Sequence, residues 1–161
     1  MKYVLGLGTN IGDRLHNLRE GAAALELAPK TAVIKKSAVY ETSPVGYAKQ
    51  QDFYNCAVLC ESNMNPHEML GICLGIECSM GRVRNFKNGP RIIDIDLLLA
   101  EDKIIRTPNL IVPHPHMKER LFVLLPLLDL FENGSAFGFE YASSIGNIKD
   151  QQIRKTKFTL D

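Results

Sequence analysis

The sequence has no surplus of charge: 19 lysines and arginines against 18 aspartates and glutamates leave a net +1 at pH 7. That balance excludes a global electrostatic pull toward nucleic acid or membrane, so any anion site has to be local. Long apolar runs are also missing. The longest, Ile92–Ala100 and Leu121–Leu128, fall well short of the about 20 residues a membrane-spanning helix needs. The start, Met1–Gly6, runs straight into a strand-like pattern without a signal-peptide core, and the expected location is the cytoplasm. The four cysteines, Cys56, Cys60, Cys73 and Cys78, include no C-x-x-C pair and lie in apolar segments. They are expected as small core hydrophobes. No G-x-x-x-x-G-K-[ST] occurs, which excludes P-loop chemistry. Gly6-Leu7-Gly8-Thr9-Asn10-Ile11-Gly12 fails as a dinucleotide fingerprint, because its last glycine is one residue late and no parallel β-α-β order follows. Repeats and low-complexity tracts are absent, and 1–161 is expected to be a single domain.

Hydrophobic residues at 45% and charged residues at 23% place the chain among soluble globular proteins able to bury one core. Tyr3–Thr9 reads as a buried strand. A helix is expected from Asp13, since Leu15, Leu18, Ala22 and Leu25 recur at helical spacing and Pro29 follows. Val33–Thr42 reads as a strand in which Lys35 and Lys36 break the alternation, Ser43–Asp52 as a loop, and Phe53–Glu61 as another strand. Asn65-Pro66 opens a second helix. Gly81–Pro90 is a basic loop, and Arg91–Ala100 is the most strand-like segment of all. The order β-α-β-β-α-β predicts an α+β, ferredoxin-like antiparallel sheet with helices packed on one face. A C-terminal extension follows, with short edge strands at Lys103–Arg106 and Leu110–Val112 and a partly helical Met117–Asp129 in which Pro126 ends or kinks the helix. From Glu132 onward there is no strong periodicity.

The chemistry concentrates in Gly89-Pro90-Arg91-Ile92-Ile93-Asp94-Ile95-Asp96-Leu97-Leu98. Residues two apart on a strand share a face, so Asp94 and Asp96 stand side by side, flanked by Ile92 and Leu98, while Ile93, Ile95 and Leu97 face the opposite layer. Two neighbouring carboxylates in a sheet repel each other and lose hydration, and a divalent cation removes both penalties. Magnesium fits best, since it binds through one or two carboxylates plus substrate phosphates. An isolated D-x-D on an amphipathic strand would more simply face solvent. Arg82, Arg84, Lys87 and Arg91 line the preceding loop, and guanidinium groups beside a metal suit a polyphosphate. His114, with Lys118 and Arg120 just beyond it, reads as a phosphate donor or an acid near the leaving group. With no third ligand nearby, His114 and His116 do not read as a zinc site. Phe53 and Asn55 share a strand face, an arrangement that suits a flat, hydrogen-bonding heterocycle. On these residues alone a metal-dependent nucleotidyl transferase and a ferredoxin-like binding module remain open, and release of AMP cannot be told from release of ADP.

Arg82-x-Arg84, Lys87-Asn88-Gly89-Pro90-Arg91-x-x-Asp94-x-Asp96, Pro113-His114 and Arg120-x-Phe122 resemble the motifs of the 6-hydroxymethyl-7,8-dihydropterin pyrophosphokinase family. The resemblance runs from Gly8-x-Asn10 through Thr42-x-Pro44-x-Gly46 and Phe53-x-Asn55 to Phe122. It implies an enzyme of folate synthesis that moves the diphosphate of ATP to the pterin hydroxymethyl oxygen, leaving AMP; a monomer is expected. By the same resemblance, Asp94 and Asp96 hold two magnesium ions and, with Arg82 and Arg91, form the catalytic set. Arg84, Arg91, His114, Arg120 and Leu97 bind ATP. Thr42, Pro44, Val45 and Asn55 read the pterin edge, while Phe53 and Phe122 sandwich its ring. Glu77 matches a supporting carboxylate, and Ser43–Asp52 and Arg84–Pro90 match loops that close over the site. The chain departs from the family where Asn88 stands in place of a tryptophan in a loop one residue shorter, and where Asn109 replaces a basic residue of some members.

Overall fold

Strand β1 (Lys2–Thr9) runs through the middle of the sheet in the computed structural model, which describes residues 1–44, 46–83 and 86–161. Its alternation sends Tyr3, Leu5 and Leu7 to one face and Val4 to the other. Helix α1 (Arg14–Glu26) starts where the Asp13 carboxylate accepts the His16 N–H at 3.0 Å, and it buries Leu18, Ala22 and Leu25. The strand expected over residues 33–42 is two strands, β2 (Thr31–Lys36) and β3 (Tyr40–Thr42). At the break the Ser37 hydroxyl, not a backbone carbonyl, takes the Ala57 N–H at 2.8 Å, and the register shifts between Val33 and Lys35. Strand β4 (Phe53–Ser62) pairs antiparallel with β1, β2 and β3. Helix α2 (Pro66–Ser79) opens on a capping box, in which Asn65 accepts from Glu68 N and Glu68 accepts from Asn65 N.

Strand β5 (Asp94–Ala100) begins three residues later than the sequence pattern predicts. Arg91 is instead tied to the end of β1, its N–H donated to Asn10 Oδ1 at 2.8 Å and its carbonyl accepting Asn10 N–H at 3.0 Å. Ile92 accordingly packs with the helix-side core and does not flank the aspartates. Among the described residues, strands β6 (Ile105–Arg106) and β7 (Ile111–Val112) pair only with each other, so they are a separate hairpin and not edges of the main sheet. A 3-10 turn (Met117–Glu119) leads into α3 (Leu121–Leu130), which continues through Pro126 because Val123, Leu124, Leu127 and Leu130 bury its apolar side against the sheet. The aperiodic remainder holds the hairpin β8 (Ser135–Ala136) and β9 (Phe139–Glu140), a short α4 (Ala142–Asn147) and β10 (Ile153–Lys155). Tyr141 anchors this segment beneath α3, its hydroxyl bonded to the carbonyls of Leu127 and Phe131.

The fold is mixed α/β on an antiparallel sheet ordered β10-β3-β4-β1-β5, with β2 also against β4. Helices α1 and α2 cover the face bearing Leu5, Leu7, Val58 and Ile95. The two helices of the β-α-β-β-α-β core thus share one face, while α3, from the C-terminal extension, packs on Val4, Ala57, Leu59 and Leu98 of the other. Cys56, Cys60 and Cys73 are buried, and burial pushes the Cys60 thiol up to about 12. Cys78 is exposed in the last turn of α2, contrary to its expected core position. Among the described residues no helix is long and apolar enough to cross a membrane.

Candidate active site

Helix α3 covers only part of its face of the sheet, and the uncovered part is a cleft of about 330 Å³. Its floor is made by glycine. Gly8 lies in register between Asn55 of β4 and Asp94 of β5, and Gly6 between Ala57 and Asp96. A Cβ at Gly8 would stand 2.8 Å from Asn55 Oδ1, and one at Gly6 would stand 3.1 Å from Leu98 Cδ1. The glycines dismissed as a failed fingerprint therefore keep the middle strand bare between the walls. Glycines two apart in an otherwise apolar strand were the signal, since they mark one face where something approaches the backbone closely.

On the β5 side Asp94 is held by two arginines. Arg82 Nη1 reaches its Oδ1 at 2.7 Å, and Arg91 Nη1 reaches its Oδ2 at 3.2 Å. Arg82 is itself fixed by Glu77 at 2.7 Å, with both side chains under a tenth exposed. Glu77 Oε1 also accepts the Ile95 N–H at 2.7 Å, so one buried carboxylate ties α2 to the edge strand that carries both aspartates. Asp96 differs. Among the described residues no hydrogen bond or ion pair within 4 Å reaches its carboxylate, and burial together with Asp94 pushes its carboxyl up to about 7. A pair of hard oxygen donors, one of them unpaired, fits a magnesium ion completed by phosphate oxygens and water. Among the described residues no cluster of three or more His, Cys, Asp or Glu forms a site by protein ligands alone.

Across the cleft, Arg120 and Phe122 come from the start of α3, with the guanidinium 5.6 Å from the ring centroid. His114 donates its N–H to the Leu98 carbonyl at 2.9 Å, and its Nδ1 accepts the His116 N–H at 3.3 Å, which leaves the neutral ring's proton on Nε2. Burial, and then Arg120 and His116, lower its pKa, so the ring favours the neutral form. On the β4 side Asn55 donates to Thr42 Oγ1 at 2.9 Å, with Phe53 beside it on the same face.

The structure thus gathers Asp94, Asp96, Arg82, Arg91, His114, Arg120, Thr42, Phe53, Asn55 and Phe122 around one cleft. It does not bring Leu97 or Pro44 to the wall. The Leu97 side chain is buried in the core under α1 and α2, because its strand parity is opposite to that of the aspartates. Val45 and Arg84 lie outside the described residues. The two loops meet above the cleft: Tyr47 and Phe86 are in edge contact at 5.1 Å, and Gln50 Nε2 donates to the Asn88 carbonyl at 2.8 Å. Asn10 Nδ2 in turn donates to Gln50 Oε1 at 2.8 Å, joining these loops to the end of β1.

A model of the family described as 7,8-dihydro-6-hydroxymethylpterin-pyrophosphokinase matches residues 4–132. The 2-amino-4-hydroxy-6-hydroxymethyldihydropteridine pyrophosphokinase of Bacillus subtilis is 47% identical over 126 residues, covering 78% of this chain and 75% of that protein. The protein of the same name from Methylorubrum extorquens is 42% identical over 126 residues, covering 78% of this chain and 80% of the relative. Among solved structures, an HPPK-DHPS in complex with substrates superimposes with a TM-score of 0.66 at 17% identity. It covers 91% of this chain, which spans 45% of that one. A Plasmodium falciparum HPPK-DHPS variant gives 0.67, also at 17% identity, with the same 91% and 45% coverage. At those identities the structural likeness shows the fold.

Proposed function

This chain belongs to the 7,8-dihydro-6-hydroxymethylpterin-pyrophosphokinase family, and we infer from that premise that it is a pyrophosphokinase acting on hydroxymethyldihydropterin in folate synthesis. We propose further that ATP is the donor, that magnesium is required, and that the βαββαβ core with its β3-β4-β1-β5 order is ferredoxin-like. The observation that carries the reading is the half-buried carboxylate of Asp96, without a hydrogen bond or ion pair among the described residues, beside Asp94 in a cleft that also holds Arg82, Arg91 and Arg120.

The residues divide the work. The Asp94 and Asp96 carboxylates would hold magnesium, which supplies neutralisation of phosphate charge and polarisation of the phosphoryl oxygens. Arg82, locked between Glu77 and Asp94, keeps the strand end in place. Arg91 and Arg120, from opposite sides, hold the triphosphate oxygens in fixed directions, and His114 donates from Nε2. Phe53 and Phe122 bound a slot for a flat ring, over a glycine floor that lets the ring approach the backbone. Asn55 and Thr42 supply edge hydrogen bonds. The hydroxymethyl oxygen then bonds to the β-phosphorus as the bond from that phosphorus to the α–β bridging oxygen breaks, its hydroxyl proton is released to water, and AMP leaves. Both reacting groups are held in one cleft, so orientation contributes much of the rate.

Incubation with ATP, magnesium and 6-hydroxymethyl-7,8-dihydropterin is expected to release AMP and the pterin diphosphate in equal amounts. Release of ADP, or no turnover, would overturn the reading. Gly8→Ala is expected to displace the Asn55 amide and raise the KM for the pterin by about 10-fold while leaving the KM for ATP within about 2-fold. Steady-state kinetics with each substrate varied in turn checks this, and equal effects on both substrates would refute the placement of Asn55.

A further inference from the structure

Between α4 and β10 the chain passes both walls of the cleft. On one side the Gln152 carbonyl accepts the Ser43 N–H at 3.4 Å, extending the ladder in which Ile153 pairs with Thr42. On the other side the Gln151 side chain grips the backbone on either side of Arg120. Its Nε2 donates to the Glu119 carbonyl at 2.6 Å, and its Oε1 accepts the Leu121 N–H at 2.9 Å. Arg120 is extended, with φ −127° and ψ 107°. In that conformation the carbonyl before it and the N–H after it point to the same side. A planar primary amide matches this donor–acceptor pair as a neighbouring strand would.

The contact also answers a local deficit. Helix α3 has no side-chain hydrogen bond from its own N-cap residue, Arg120, so the N–H of Leu121 is one of the orphan donors of a helix start. Gln151 satisfies it from 30 residues away. Residue 151 lies beyond the 4–132 stretch matched to the family, so this contact is drawn from the structure of this chain alone.

We propose that Gln151 is a positioning residue for the transfer reaction: its amide sets the backbone at Arg120 and thereby aims the Arg120 guanidinium and the Phe122 ring into the cleft. The inference rests on the pyrophosphokinase reading for its substrates. Only a group with one donor and one acceptor in a plane serves this backbone. A carboxylate at 151 would keep the Leu121 bond but set an oxygen against the Glu119 carbonyl, and a methyl group would keep neither.

The test compares wild type, Gln151→Ala and Gln151→Glu. In Gln151→Ala the Kd and KM for ATP are expected to rise about 10-fold, with the melting temperature little changed and exchange of the Leu121 amide hydrogen accelerated. In Gln151→Glu the deficit relative to wild type is expected to shrink as pH falls from 8 to 5, because a protonated carboxyl regains a donor for the Glu119 carbonyl. A purely structural role would not produce that pH-dependent recovery. Unchanged Leu121 exchange in Gln151→Ala overturns the proposal, as does unchanged ATP affinity, or a Gln151→Glu deficit that does not vary with pH. If wild type releases no AMP, the functional reading falls, and Leu121 exchange with ATP binding still decides the role of Gln151.

Discussion

Asp96→Asn is expected to lower turnover on the order of 10³-fold while raising the melting temperature of the magnesium-free protein at pH 8. The two effects share one cause. Burial and the neighbouring Asp94 push the Asp96 carboxyl up to about 7, so the folded protein binds this proton more tightly than the unfolded chain does. The stability linked to this group is therefore complete below the unfolded value of about 4, and it is lost as pH rises through about 7. At pH 8 the charge is present and among the described residues has no partner. Asparagine removes it at nearly the same volume, and with it a hard oxygen ligand. Thermal melts in EDTA should show a larger gain for Asp96→Asn at pH 8 than at pH 5. Magnesium with ATP should raise the melting temperature of wild type but not of the variant. A variant that keeps its turnover, or melts lower than wild type at both pH values, would sink the assignment of Asp96 to the metal.

The second large effect belongs to Arg82. Its guanidinium is 8% exposed and lies 2.7 Å from both Glu77 and Asp94. Its Nε is buried and without a partner among the described residues. Arg82→Met keeps most of the volume but removes the guanidinium that pairs with the buried Glu77 carboxylate. Breaking one side of a buried ion pair typically destabilises by about 3–5 kcal/mol, and urea unfolding should place this variant near the lower end, since Asp94 retains Arg91. The double variant Glu77→Gln with Arg82→Met should recover most of that loss, because glutamine still accepts the Ile95 N–H and carries no charge. Turnover should stay low in both variants, since Asp94 is no longer held from the α2 side. If the double variant is no more stable than Arg82→Met alone, the pair does not carry the energetics assigned to it.

The paired aspartates were legible because strand parity is a local property. Once Asp94–Ala100 reads as a strand, Asp94 and Asp96 must share a face and Ile95 and Leu97 must take the other. The same rule sends the Leu97 side chain to the core face, away from the cleft. The late start of β5 and the break at Ser37 were not legible. Each depends on one side chain, Asn10 or Ser37, replacing a ladder bond with a residue far along the chain. Rejecting Gly6 and Gly8 as a phosphate-binding turn was right, but the meaning of their spacing of two on one strand face emerged only with the register to Asn55, Asp94 and Asp96.

What the sequence determined by itself is the β-α-β-β-α-β order of the core, the face on which the carboxylates stand and the reaction family. All of these follow from short-range periodicity and from motifs spanning a few residues. Only the tertiary structure decided that α3 lies against the face that bears the site, that Glu77 reaches Ile95 through Arg82's neighbourhood, and that β10 joins the sheet beside β3. It also placed Gln151 against Glu119 and Leu121. The physical reason is distance along the chain. Hydrogen bonds between residues tens of positions apart leave no period and no motif, and they form only once packing has brought the two backbones together.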